Sequence, residues 1–224
     1  MYCDVTWTLI ARFSNRDTKN WMRDDGHWWY DQNVAVGTTT DPSVNADMIS
    51  PAFWLVSGRE FKITRGDDPS HAPLLQTTGN CLGGQTFRSK ITSYGVFRYR
   101  KVWSSYGCQA SCMVQYGGQY KTTEGFKKAE CRTNIPRIKT IGFWCHCGKD
   151  GSVMMIGPGG NGCKRADHGI GITEANHASF EAQGHGQYDF GNDAEDWFGY
   201  PTDAYSLNLW IRWLREGEWY LRHV

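Results

Sequence analysis

Short clusters of oxygen-bearing side chains punctuate the chain: Asn15-Arg16-Asp17, Asp24-Asp25-Gly26, Asn45-Ala46-Asp47 and Asp189-Phe190-Gly191-Asn192-Asp193. Hard divalent cations such as calcium take about six to eight oxygens from carboxylates, backbone carbonyls and water, presented on loops. No cluster has the D-x-[DN]-x-[DN]-G spacing of a self-contained calcium loop, so a site would have to be assembled from segments distant in sequence. Each cluster alone also fits an Asx turn, in which the side chain bonds its own nearby backbone. Histidines offer a second chemistry. His168, His177 and His185 fall close together beside Asp167 and Glu181, the residue types of a general base and the carboxylate that orients it. No G-x-S-x-G elbow, H-E-x-x-H helix or P-loop accompanies them, so solvated or hydrogen-bonded loop histidines are the plainer reading. Cys145, Cys147, Cys163 and His168 carry the ligand types of zinc, although not the two-knuckle spacing of fingers and ribbons. Finally, Trp197, Phe198, Tyr200 and Tyr205 follow Glu195-Asp196. A ring platform beside acidic oxygens suits the apolar face and hydroxyls of a sugar, while core packing is the competing role for any single aromatic.

Something must hold these groups in place. Apolar and aromatic runs alternate with Gly, Pro, Asn, Asp and Ser clusters throughout, the pattern of short strands joined by long ordered loops. Strands are predicted over Val5 to Phe13, Phe53 to Thr64, Gly95 to Trp103, Ile138 to Cys145 and Ser206 to Trp213, each rich in β-branched or aromatic residues. Helix is expected only in short pieces, around Ser50 to Val56 or Ala166 to Ile172. Gly148 to Gly191 reads as a long loop carrying His168, His177 and His185, and loops of this length in compact domains are usually functional. Residues 214–224 are set apart as a charged, aromatic C-terminal tail. No repeat or linker divides the sequence, so 1–224 is read as one domain of the α+β class.

Composition narrows the function classes. A chain of 224 residues has ample length for a core. Aromatics make up 14%, with 11 Trp, and there are 26 Gly, which describes an aromatic-packed, loop-rich domain. The formal net charge of +1, with both signs scattered, provides no basic stripe for nucleic acid. No apolar run is long enough to span a membrane as a helix, and Met1 to Trp7 has no basic-then-apolar leader. Eight cysteines (Cys3, Cys81, Cys108, Cys112, Cys131, Cys145, Cys147 and Cys163) are an even number without a C-x-x-C pair. They point to disulfides formed in an oxidising, extracellular compartment, with their connectivity open. No Asn-x-Ser/Thr acceptor for N-glycosylation is present.

Trp7-Thr8-Leu9-Ile10-Ala11-Arg12-Phe13, Asp24-Asp25-Gly26-His27-Trp28 and Asp47-Met48-Ile49-Ser50-Pro51-Ala52-Phe53 follow one another in the first part of the chain. They are similar to the first strand, the G-D-G-N-W turn and the D-x-x-x-P-G-Y element of the intelectins, or X-type lectins, of the fibrinogen-like superfamily. Further on, Gly162-Cys163, His168-Gly169-Ile170-Gly171, Glu181-Ala182, Asp189-Phe190 and Trp197 resemble the same family in order and spacing, with Asp189 eight positions after Glu181. Residues 66–133 carry little of the likeness. The resemblance implies a fibrinogen-like or intelectin-like α+β fold: small antiparallel sheets, few short helices and many long ordered loops, stabilised by disulfides and calcium. It implies a buried structural calcium on Asn15, Asp17, Asp47 and Asp189. It also implies a second, exposed calcium with Glu181 as a ligand, whose open positions take two vicinal hydroxyls of a glycan. Trp197 with Tyr200 or Tyr205 would form the aromatic box around that glycan. The family's Asn-x-Glu-His-His run stands here as Lys164-Arg165-Ala166-Asp167-His168, so Asp167 and His168 join Glu181 as candidate metal ligands and sugar contacts.

The expectation is therefore a secreted, non-enzymatic, calcium-dependent lectin that recognises extracellular glycans. It has Ca2+ as cofactor, no nucleic-acid partner and no membrane span, with homo-oligomerisation as an option. Two other readings stay open. One is an extracellular protein-interaction or matrix module with structural calcium alone; the other is a zinc-dependent hydrolase built on His168, His177 and Glu181.

Overall fold

The computed structural model describes residues 2–4, 6–16, 33–92, 111–121, 140–142, 157–158 and 204–213. The strands among them are β1 (Cys3–Asp4), β2 (Trp7–Ser14), β3 (Met48–Ile49), β4 (Glu60–Arg65), β5 (Pro73–Thr77), β6 (Ser111–Tyr116), β7 (Thr140–Gly142), β8 (Gly157–Pro158) and β9 (Ser206–Arg212). They join in the order β1-β2-β9-β4-β5-β6-β7-β8, and β3 also pairs with β2. Every pairing between these strands is antiparallel. Two short helices, α1 (Ala52–Leu55) and α2 (Phe87–Thr92), and a 3-10 turn at Gly118–Lys121 complete the described secondary structure. A mostly antiparallel sheet with few short helices is compatible with the expected α+β class.

β9 is central. It pairs with β2 from Ser206 to Ile211 on one side and with β4 from Leu207 to Arg212 on the other, and all of its residues are buried. Its alternate residues Leu207, Leu209 and Ile211 face the main core with Phe13 of β2, Phe61 and Ile63 of β4 and Leu75 of β5, as the two-residue period of a strand requires. A bulge between Leu9 and Ala11 of β2 turns Ile10 and Ala11, though consecutive, both into that core, while Leu9 joins Trp7, Met48 and Trp210 on the opposite face.

The helices cover the main core. α1 is a single turn, too short to be stable alone. Ser50 anchors it: the hydroxyl donates to the Leu9 carbonyl at 3.1 Å and accepts the Ala52 N–H at 3.2 Å. Phe53 of α1 packs on Phe87 of α2 with ring centres 5.5 Å apart, and Phe87 meets Phe61 of the sheet edge to face at 5.8 Å. The Cys81–Cys112 disulfide ties the turn before α2 to β6. Closing a sequence separation of 31 removes roughly 3 to 4 kcal/mol of chain entropy from the unfolded state.

Several sequence expectations change. The strand predicted over Val5 to Phe13 is β2, shifted to Trp7–Ser14, and that over Ser206 to Trp213 is β9. Phe53 to Thr64 splits, because Ser50 and Pro51 start a helical turn that ends at Leu55, where Val56 is already extended, before β4 begins at Glu60. The short helix expected around Ser50 to Val56 is α1. Of Ile138 to Cys145, the described part is β7; Gly95 to Trp103, Ala166 to Ile172 and 214–224 lie outside the described residues. Among the described cysteines, Cys81 and Cys112 are bridged while Cys3 is a free, exposed thiol, so complete pairing fails at Cys3.

The β4–β5 connection shows how local polar chemistry sets a turn. The Asp68 carboxylate accepts the Ser70 N–H at 2.9 Å, the Ser70 hydroxyl at 2.6 Å, the Ala72 N–H at 3.0 Å and the Gln119 amide at 3.2 Å, so it ties this turn to the 3-10 turn after β6. Burial raises its pKa, but the hydrogen bonds from Ser70, Ala72 and Gln119 outweigh it and hold the carboxyl below its ordinary value. A folded pKa below the unfolded 3.8 means that this stabilisation is complete above 3.8 and is lost as pH falls through the folded value. In urea melts across an acid series, Asp68→Ala should lower stability by about 1 kcal/mol at neutral pH and should flatten part of the decline below pH 3.8.

Candidate functional site

β2 ends where β9 begins, and this corner collects the first candidate ligands. Asn15, 3% exposed, donates its N–H to the Tyr205 carbonyl at 3.2 Å, and its Oδ1 accepts the Tyr205 N–H at 2.9 Å. Asp47, just before β3, accepts the Ser14 N–H at Oδ1, 2.8 Å away. The Ser14 hydroxyl donates to Asn45 Oδ1 at 2.7 Å and accepts the Arg16 N–H at 3.1 Å. Asn15 and Asp47, 32 positions apart in number, are thus brought to one place. Asp17, Asp167, His168, Glu181, Asp189, Trp197 and Tyr200 lie outside the described residues, as do His177, His185 and the Cys145, Cys147 and Cys163 series.

Residues 38–47 lie across the sheet face here, their oxygens met by donors from β2 and β9. Arg12, fully buried, donates to the carbonyls of Ala46 at 2.7 Å, Asp41 at 2.6 Å and Thr38 at 3.3 Å. Asn208 Nδ2 donates to the Pro42 carbonyl at 2.9 Å and the Ser206 hydroxyl to the Val44 carbonyl at 3.4 Å. Gly37, at φ +71°, lets the chain turn into this segment, and a Cβ there would run into the Asp47 carbonyl. Burial lowers the pKa of Arg12, while the charges of Asp41 and Asp47 push it back up. Hydrogen bonds from the Ser43 hydroxyl and N–H hold the Asp41 carboxyl below its ordinary value, and Arg12 adds to that.

The structural calcium implied by the resemblance would draw on two of these residues, Asn15 and Asp47. The Asn15 and Asp47 side-chain oxygens accept backbone N–H groups, and the nearby carbonyls of Thr38, Asp41 and Ala46 point at a guanidinium. Among the described residues, no group of three or more His, Cys, Asp or Glu side chains is placed to hold a metal. Each of these oxygens already has a protein donor, and Asp17 and Asp189, the other two implied ligands, lie outside the described residues. Tyr205 is corrected too: it is 2% exposed, belongs to the main core, and has the Arg65 guanidinium 4.1 Å from its ring centre. It has no open ring face for a sugar.

A second polar cluster was not anticipated. On the face opposite the main core, Lys62 is buried between Trp7 and Trp210, its Nζ 5.2 and 5.1 Å from the ring centres, and it forms an ion pair with Asp4 at 3.2 Å. His71, at φ +51°, packs on Tyr2 and Trp210, and its buried Nδ1 has no hydrogen-bond partner among the described residues. The Trp210 indole donates to Thr64 Oγ1 at 2.9 Å. Arg212 donates to Glu60 Oε2 at 2.9 and 2.7 Å, while Glu60 Oε1 accepts the Gly79 N–H at 3.1 Å. The alternation Glu60-Lys62-Thr64 and Ser206-Asn208-Trp210-Arg212 signals one strand face, but polarity of that kind ordinarily marks a solvated one. The visible clue was Trp210 in the middle of the row.

The sequence matches no protein-family model and no curated protein.

The Glu60–Arg212 pair is testable as a stability determinant, since removing one partner of a buried pair leaves the other charge uncompensated. Glu60→Ala should lower unfolding stability by about 3 to 5 kcal/mol. Glu60→Gln, which keeps an acceptor for Gly79, should cost less. Denaturant melts of the two variants check both the size and the order.

Proposed function

We propose that this chain is a secreted recognition domain of fibrinogen-like or intelectin-like fold that binds extracellular glycans with the help of calcium and catalyses no reaction. The observation that supports this reading best is the junction of Asn15 with Tyr205 and the pairing of β2 with β9. The likeness to the lectins lies toward the two ends of the sequence: the first of these includes β2, and β9, which pairs with β2, follows the second in the chain. The disulfide between Cys81 and Cys112 agrees with an extracellular setting. In this reading Asp167, His168 and Glu181 hold an exposed calcium, and Trp197 and Tyr200 flank the sugar ring. Calcium supplies open coordination positions that exchange water for two vicinal hydroxyls. Tyr205 serves the core instead of the sugar.

A glycan array probed with and without chelator, with the bound metal identified by elemental analysis, tests the proposal. Binding to sugars with a free vicinal diol should disappear on chelation. Glu181→Gln should abolish that binding and leave the melting temperature unchanged. Calcium without any sugar signal would favour a protein-interaction module, and bound zinc would favour the hydrolase built on His168, His177 and Glu181.

A further inference from the structure

We propose that Arg12 is the resident cation of the β2–β9 corner: its buried guanidinium, in place of a divalent ion, holds residues 38–47 on the sheet. Loops rich in inward-pointing oxygens need a positive partner, and metals commonly supply it. Here the Thr38, Asp41 and Ala46 carbonyls converge on three nitrogens of one side chain, at 3.3, 2.6 and 2.7 Å. A guanidinium suits this work because its donors form a rigid planar fork and it does not lose its proton. The other oxygens that the segment turns to the sheet also meet protein donors: Pro42 meets Asn208, Val44 meets Ser206, Asn45 meets Ser14 Oγ and Asp47 meets the Ser14 N–H. Asp41 and Asp47 balance the charge of Arg12. Beside these, Asn208 Oδ1 is buried without a hydrogen-bond partner among the described residues. A single neutral amide oxygen of this kind suits a buried water. A divalent ion seated on Asp47 would also lie near a permanent buried cation, where repulsion is weakly screened.

The inference is independent of the exposed calcium at Asp167, His168 and Glu181, and its test reads no sugar. Wild type, Arg12→Lys, Arg12→Ala and Asp47→Asn would be melted in calcium and in chelator, and their calcium stoichiometry measured by titration calorimetry. Arg12→Lys keeps the charge but loses the fork, so its melting temperature should fall by roughly 5 °C or more, by the same amount in calcium and in chelator. Arg12→Ala should regain part of its loss in millimolar guanidinium and none in calcium. Asp47→Asn should bind as many calcium ions as the wild type, including none if the wild type binds none, a result that would sink the exposed site while leaving this proposal standing. Loss of one bound calcium in Asp47→Asn, or calcium restoring the stability of Arg12→Lys, would overturn it. If Arg12→Ala does not fold, the other two variants decide.

Discussion

The structure depends on the insertion of β9 between β2 and β4. These two strands are separated by the long excursion through β3 and α1, and a strand from the far end of the chain pairs the facing edges of both. β9 supplies two ladders of backbone hydrogen bonds at once and contributes Leu207, Leu209 and Ile211 to one core and Trp210 to another cluster. The contact is extremely non-local, so much of the sheet is established only after a large loop closes. The Cys81–Cys112 disulfide works on a different span, fastening the β5–β6 side while β9 fastens the β2–β4 side.

Sequence pattern located the strands richest in β-branched, aromatic and leucine residues. β2 and β9 stood out because apolar and aromatic residues alternate with others along them, and such side chains suit a pleated, buried surface. β5 and β6 were missed. Pro73-Leu74-Leu75-Gln76-Thr77 starts with proline, which reads as a breaker, although the first position of a strand tolerates it. Ser111-Cys112-Met113-Val114-Gln115-Tyr116 has a weak alternation and a cysteine whose role is covalent. The strand predicted over Phe53 to Thr64 ran too early because hydrophobicity alone does not separate a buried helical turn from a buried strand; Ser50 and Pro51 decide it locally.

The candidate site was legible as residue types and not as bonds. Spacing singled out Asn15 and Asp47, and the fold brings them together, yet for a reason that the oxygen count did not contain: each accepts a backbone N–H that would otherwise be unsatisfied at a strand end. Arg12 was passed over because a lone arginine inside an apolar run looks like an exposed residue of an amphipathic strand. Its burial becomes intelligible only with the carbonyls of residues 38–47 above it, and those residues are remote in sequence. Tyr205 shows the converse error, an aromatic near acidic residues that turns out to be part of the core.

The polar face of the sheet also explains why this register is chosen over its neighbours. A strand buried on both faces with hydrophobic residues alone gains nearly as much after a slip as before it, so burial energy specifies its register poorly. In β9 the alternation of leucine and isoleucine with serine, asparagine and arginine removes that freedom. A one-residue slip would put Leu207 and Leu209 against the carbonyls of residues 38–47 and send Asn208 and Arg212 into the main core. Each misplaced polar group would then cost about 1 to 3 kcal/mol for an unmet hydrogen bond, and more for a charge. Arg12 opposite Asn208, and Glu60 opposite Arg212, mark the matching positions on β2 and β4. The buried polar groups that contribute least to net burial energy are thus the ones that make one alignment of these three strands distinct from the rest.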